Sequence, residues 1–96
     1  MVQMDFHIGI DQDVARARTI ASEALTSSRF TNLGRPWSVT VSEVRTDALL
    51  ALRLRAKAYV LDVRFEKAFE TDVTERVVES LRAAAIERPA VLHRHI

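Results

Sequence analysis

The chain has 96 residues, of which 48% are hydrophobic and 28% are charged, and its formal net charge is +1 at pH 7. These values are typical of one small globular domain and exclude a long disordered region, while the absence of cysteine excludes disulfide bonds and thiolate metal sites. No apolar run approaches the roughly 20 residues that cross a bilayer, and the nearly balanced charge gives no general attraction to nucleic acid or anionic lipid.

The first segment of the chain alternates apolar and polar residues, which predicts a half-buried β-strand. Asp11 or Asp13 then offers a carboxylate oxygen to the free N–H groups at the start of a helix. Apolar residues at three- and four-residue spacing predict that helix. The apolar positions of the strand are Val2, Met4, Phe6, Ile8 and Ile10, and those of the helix are Val14, Ala17, Ile20, Ala21, Ala24 and Leu25.

The middle of the chain predicts a hairpin of two further strands. Turn-forming residues between 27 and 36 indicate a connecting loop, and a polar interruption centred on Thr46 and Asp47 indicates the hairpin turn. The third strand separates its residues cleanly into two faces, which implies a sheet covered on one side only. The second strand has Trp37, Val39 and Val41 on its apolar face, and the third has Leu50, Leu52, Leu54, Ala56, Ala58 and Val60 opposite Arg53, Arg55, Lys57 and Tyr59.

A second helix is predicted over residues 72–85, with Thr71 or Asp72 as its cap and an i,i+4 pair between Asp72 and Arg76. Its buried stripe is Val73, Val77, Leu81 and Ala84. Residues 62–69 favour either a loop or a helical lead-in. The segment after Pro89 is predicted to be an edge strand or an extended arm.

Together these elements predict an α+β fold in the order β-α-β-β-α. The expected architecture is a ferredoxin-like open sandwich, with both helices on one face of an antiparallel sheet and an extended strand at the C-terminus. We expect one domain over residues 1–88, followed by a tail or assembly strand over residues 89–96.

Three histidines are the only candidate metal ligands that stand out. His93 and His95 point the same way if the tail is a strand, and His7 lies on the polar face of the first strand. Histidines in a terminal tail are more often solvated, so we expect no bound metal and no cofactor. Gly9 and Gly34 are the only glycines, so there is no glycine-rich phosphate loop, and no residue pattern indicates an enzyme.

A basic stripe on the third strand is open to two interpretations. Arg53, Arg55 and Lys57 could contact RNA on an exposed sheet face, but such faces also need aromatic residues for base stacking, and only Tyr59 is available here. Alternatively, the stripe is solvated or faces a neighbouring subunit, and Asp5 pairs with Arg53 or Arg55 across the strands. The second interpretation is favoured, so we expect no nucleic-acid partner.

Four stretches of the chain, in this order, resemble the C-terminal cytoplasmic α/β domain of small-conductance mechanosensitive (MscS-type) channels. The first is a strand that ends in glycine and leads into a helix capped by Asp, and the last is the end of a helix that leads out through Ile and Pro. The stretches are residues 6–13 (FHIGIDQD), 37–44 (WSVTVSEV), 52–56 (LRLRA) and 79–86 (ESLRAAAI) followed by Pro89.

The resemblance implies a structural, oligomerisation domain of a mechanosensitive ion channel, which opens under membrane tension and releases ions and small solutes. In that family seven identical subunits build a cytoplasmic vestibule, and C-terminal strands can close a small barrel. By resemblance, the chain would be the cytoplasmic domain of a bacterial inner-membrane protein, attached to the membrane through a missing N-terminal part. The tail would supply the subunit contacts, with Pro89, Val91, Leu92 and Ile96 as interface candidates.

A different interpretation remains open. The chain is also similar in outline to the cytoplasmic domains of cation-efflux transporters, where such folds dimerise and bind metal through histidine and acidic residues. On that interpretation it is a stand-alone regulatory or metal-sensing module, and His93 and His95 would be its ligands.

Overall fold

The computed structural model describes residues 1–45 and 50–89. Within these ranges three strands form one antiparallel sheet, in the order β1-β3-β2, and two helices accompany it. This arrangement confirms the predicted α+β class and the ferredoxin-like order β-α-β-β-α. The elements are β1 (Val2–Ile8), α1 (Val14–Ser27), β2 (Ser38–Arg45), β3 (Leu50–Ala58), a short 3-10 turn (Val63–Phe65) and α2 (Glu66–Ala83).

Two of the sequence predictions lie partly or wholly outside the described residues. The hairpin turn at Thr46 and Asp47 is one of them, and the C-terminal strand beyond Pro89 is the other. No helix in the described part of the chain combines the length and the apolar character that a membrane span requires.

The central strand β3 separates its two faces as predicted. Leu54, Ala56 and Ala58 are fully buried and belong to the core, which the apolar sides of β1, α1 and α2 complete. Because Ala56 and Ala58 are small, larger side chains from the helices and β1 occupy most of the core volume above this part of the sheet. The largest fully buried side chains are Phe69, Ile8, Leu25, Leu54, Val73 and Val77.

Helix α1 begins at the second of its two candidate caps. The Oδ1 atom of Asp13 accepts a hydrogen bond from the backbone N–H of Arg16 at 3.0 Å. The predicted apolar stripe is buried from Ala17 onward, whereas Val14, at the exposed first turn, is not. Ile10 is also exposed, because β1 ends at Ile8 and the chain turns away from the sheet before it.

The predicted start of the second helix at residue 72 was wrong, because α2 begins at Glu66. Asp62 accepts a hydrogen bond from the backbone N–H of Arg64 at 2.9 Å, which forms the 3-10 turn and directs the chain into the helix. Phe69 is fully buried and extends the stripe of Val73 and Val77 by one turn toward the N-terminus. Neither Thr71 nor Asp72 is therefore a cap.

The predicted ion pair within α2 is confirmed, with 3.0 Å between Arg76 Nε and Asp72 Oδ1.

Helix α2 ends in a Schellman motif. The backbone N–H of Ile86 donates to the carbonyl of Leu81 at 2.9 Å, and that of Ala85 donates to the carbonyl of Arg82 at 3.1 Å. This geometry places Ala85 in the left-handed region, with φ at 57°. Glycine is the usual residue at such a position, because a Cβ atom makes the left-handed conformation unfavourable.

Replacing Ala85 by glycine should therefore stabilise the protein. We expect Ala85→Gly to raise the free energy of unfolding by about 0.5–1 kcal/mol, since it removes the strain of the Cβ atom. Ala83→Gly is the matched control, because Ala83 is the last residue of α2, and there glycine should lower the free energy of unfolding by about 0.5 kcal/mol. Urea denaturation followed by circular dichroism measures both, and a loss of stability in both variants would contradict the assignment of the motif.

Candidate functional site

The open face is the side of the sheet opposite the helices, and its side chains stand in three rows across the strands. The register places Asp5 opposite Arg55 and His7 opposite Arg53. The outer positions of the same rows come from β2, where Thr40 pairs with Arg55. The rows that span all three strands are Gln3, Lys57 and Ser38; Asp5, Arg55 and Thr40; and His7, Arg53 and Ser42, and the pair of Val44 with the buried Ala51 continues the open face along β2 and β3.

The middle row is held by a bidentate ion pair. Arg55 donates from Nε to Asp5 Oδ1 at 2.9 Å and from Nη2 to Asp5 Oδ2 at 3.1 Å. Of the two arginines that the sequence offered, Arg55 is the partner because it lies directly across from Asp5 in the register. The hydrogen bonds from Arg55 lower the pKa of the Asp5 carboxyl, and the nearby charge of Arg53 adds to the effect.

The remaining cations of the open face are not neutralised by a described carboxylate. None of the ion pairs among the described residues involves Arg53 or Lys57. The Nε atom of Arg53 is buried and meets no acceptor in the described part of the chain. Since Asp5 balances Arg55, the described residues leave the two positive charges of Arg53 and Lys57 on the open face without a carboxylate partner.

The aromatic residue next to the open face is already engaged. The guanidinium carbon of Arg35 lies 4.3 Å from the centroid of the Tyr59 ring. A nucleic acid base would have to displace Arg35 in order to stack on that side of the ring. The arrangement therefore gives no support to base stacking on this sheet.

The opposite layer of the molecule carries a groove between the two helices. Its volume is about 300 Å³, and Glu23 from α1 and Arg76 and Glu79 from α2 line it. Arg76 is bound to Asp72, so its charge is balanced. Glu75 lies one turn before Glu79 on the exposed side of α2, where Glu75, Val78, Glu79 and Arg82 line a second hollow that adjoins the groove at Glu79. We call Glu23, Glu75 and Glu79 the acidic groove; none of them takes part in an ion pair among the described residues.

The acid that holds Arg76 at the groove is Asp72, one turn earlier on α2. Asp72 receives a hydrogen bond from Arg76, and its other oxygen, Oδ2, is buried without a donor in hydrogen-bonding geometry. The Ser28 hydroxyl, which follows α1, is nevertheless the main cause that lowers the pKa of Asp72, and Arg76 contributes next. Asp72 therefore stays ionised and keeps Arg76 in place.

Exposed hydrophobic side chains concentrate at one end of the molecule, where β1 and β2 begin and β3 ends. The loops there are joined, because Asn32 N–H donates to the Tyr59 carbonyl and Leu61 N–H donates to the Phe30 carbonyl. Phe30 also contacts Phe65, with 5.6 Å between the ring centroids. We call this surface the apolar pole: its members and their exposed fractions are Leu33 (56%), Trp37 (40%), Leu61 (60%), Val63 (72%) and Phe65 (41%).

The candidate residues from the sequence are only partly brought together. His7 lies on the open face beside Arg53, a cation that disfavours a bound metal there. In residues 1–45 and 50–89 no three His, Cys, Asp or Glu residues are close enough to hold a metal ion. Pro89 is half-buried next to the end of β1. The other candidates, His93, His95, Val91, Leu92 and Ile96, lie outside the described residues.

Sequence reasoning missed both the apolar pole and the acidic groove. The pole is formed by loop residues that lie far apart in the sequence, although the run Leu61, Val63 and Phe65 in a region without clear periodicity was a signal. Trp37 was expected in the second strand, but the strand starts one residue later and leaves its side chain exposed. The four-residue spacing of Glu75 and Glu79 on one side of a helix was the signal for the groove.

Comparison with known proteins adds no assignment, since no protein-family model and no curated protein matches the chain.

The ion pair on the open face should make stability depend on pH. Because the pKa of Asp5 is lowered in the folded protein, its stabilisation is present above the unfolded value of about 3.9 and is lost as the pH falls through the folded value. We expect Asp5→Asn to lower the free energy of unfolding at neutral pH by about 0.5 kcal/mol, a small effect because solvent screens a partly exposed pair.

Urea denaturation of wild type and Asp5→Asn over a series of pH values from neutral into acid measures this effect, since Asp5 becomes protonated in the folded protein only at a lower pH than in the unfolded chain. The difference between the two proteins should shrink as the pH falls. Asp11→Asn, which removes an exposed carboxylate outside the sheet, is the control and should show no such change. An unchanged difference for Asp5→Asn in acid would contradict the role of the ion pair.

Proposed function

We propose that the chain is an assembly domain in the cytoplasmic part of a small-conductance mechanosensitive channel, where identical copies form part of the vestibule wall. The order of the four sequence stretches and the α+β fold support the proposal. The apolar pole is the observation that carries it. A patch of this kind is characteristic of a surface that packs against another protein component.

The position of the apolar pole suits such a connection. Met1 lies at this end of the molecule, because Val2 pairs with Ala58 at the last position of β3. In a channel, the membrane-spanning part would join the domain on this side. Leu61, Val63 and their neighbours would then be covered by the rest of the protein, which removes their apolar surface from water.

The polar residues of the domain support a structural role. Asp13 caps α1, Asp62 forms the turn before α2, and Asp5 and Asp72 each hold an arginine. Each of these carboxylates accepts a hydrogen bond from a backbone N–H or from an arginine, so each has a structural use. This pattern is what a wall component needs, because its task is to keep a shape while it contacts neighbours.

The test is made on the protein as its gene encodes it. We expect the reading frame upstream of Met1 to encode hydrophobic segments of about 20 residues, and the encoded protein to give a tension-activated conductance in patch-clamp recordings under suction. An upstream frame without such segments, or a membrane protein without that conductance, would overturn the proposal. Saturable zinc binding by a protein without such segments would favour the metal-sensing module instead.

Variants at the apolar pole test the observation that carries the proposal. Leu61→Ser combined with Val63→Ser should reduce the amount of assembled channel recovered from the membrane several-fold, because polar side chains weaken packing at this surface. Val14→Ser, which alters an exposed valine at the first turn of α1, is the control and should leave recovery unchanged. Equal recovery for all three proteins, measured by native gel electrophoresis, would show that the pole is not a contact.

A further inference from the structure

We propose that the open face of one copy docks on the acidic groove of the next copy. Arg53 and Lys57 would face Glu75 and Glu79, with Glu23 on the α1 side of the groove. The inference rests on the proposed function, because it names the surfaces through which identical copies assemble. Its partner is therefore a second copy of this chain.

The positive surface is held in place by the sheet. Arg53 and Lys57 lie four residues apart on β3, so both side chains project from the same side of the central strand. The two strands that flank β3 hold its position from both sides. Arg55, between them, is occupied by Asp5. What the open face presents to a neighbour is therefore two separated cations on a polar sheet.

The negative surface lies on the other layer of the molecule. Glu75 and Glu79 are exposed on successive turns of α2 and flank Val78, whose side chain is 43% exposed. Carboxylates of like charge at this spacing repel each other in the free protein. Arg82 lines the same surface and offsets one of these charges, so the surface keeps two negative charges when Glu23 is included. A neighbour that brings two cations relieves the repulsion, and Val78 supplies an apolar contact at the centre.

The placement of the two surfaces determines the kind of assembly. The cations are on the sheet layer and the carboxylates on the helix layer, so one surface cannot pair with its own copy. The contact is heterologous. When two copies associate, one of them still has a free open face and the other still has a free acidic groove, and each can bind a further copy. Such contacts build a closed ring when the rotation between copies permits it, and otherwise build a filament.

Charge reversal with complementation tests the contact. Sedimentation velocity at low ionic strength should show wild-type mass rising above the 10.9 kDa of one chain as concentration increases. Arg53→Glu with Lys57→Glu, and separately Glu75→Lys with Glu79→Lys, should each weaken association by about tenfold or more. An equimolar mixture of the two variants should associate again, because each then offers the surface that the other needs.

Arg18→Glu with Lys67→Glu is the matched control, because it changes the net charge by the same amount at exposed positions on the two helices. It should associate like the wild type. Circular dichroism of every variant checks that the fold is kept. The salt dependence of the wild type gives a measurement that needs no variant: association should weaken as salt rises, since solvent ions screen the exposed charges.

The outcomes separate this inference from the proposed function. Failure of the mixed variants to associate would overturn the contact, as would an equal loss in the control or wild-type association that salt does not change. A wild type that stays monomeric at every concentration would also overturn it. In each of these cases a tension-activated conductance of the protein encoded by the gene would still support the proposed function.

Discussion

The structure depends on the alternation of outward-facing and buried side chains from Arg53 to Ala58 in β3. Leu54, Ala56 and Ala58 face the helices and are fully buried, while Arg53 and Arg55 project from the other side. Because β3 is the central strand, a shift of its register by one residue would place guanidinium groups in the core and expose the apolar side chains. The same alternation that builds the core therefore also creates the charged open face.

The core and the candidate contact surfaces are consequently separate parts of the molecule. The buried stripes of α1 and α2 cover the apolar side of the sheet, and the exposed side of α2 is left to carry Glu75 and Glu79. The cations lie on the solvent-facing side of β3 and the carboxylates on the solvent-facing side of α2, and the opposite side of each element packs in the core. A substitution on these outer sides is thus expected to alter association more than folding.

The sequence was sufficient for features that local periodicity determines. The faces of β1, β3 and α1 follow directly from apolar spacing, and the ion pair of Asp72 with Arg76 follows from i,i+4 geometry. The start of α2 was missed because Phe69 precedes the expected cap and only tertiary burial identifies it as a core residue. The choice between Arg53 and Arg55 as partner of Asp5 needed the strand register. To predict the apolar pole, one would have had to know that two loops distant in the sequence are hydrogen-bonded to each other, and no local pattern encodes that contact.

The connection between Gly9 and the segment after α2 has a mechanical consequence. Gly9 N–H donates to the Glu87 carbonyl at 3.0 Å, and a Cβ atom on Gly9 would lie 2.9 Å from Asp11 Oδ1. The described chain thus enters at Met1 and leaves beside the far end of β1, a strand length of roughly 20 Å away. A pull between these two points acts along β1, so its hydrogen bonds with β3 resist together in shear. We expect a unit pulled in this direction to extend little before it yields.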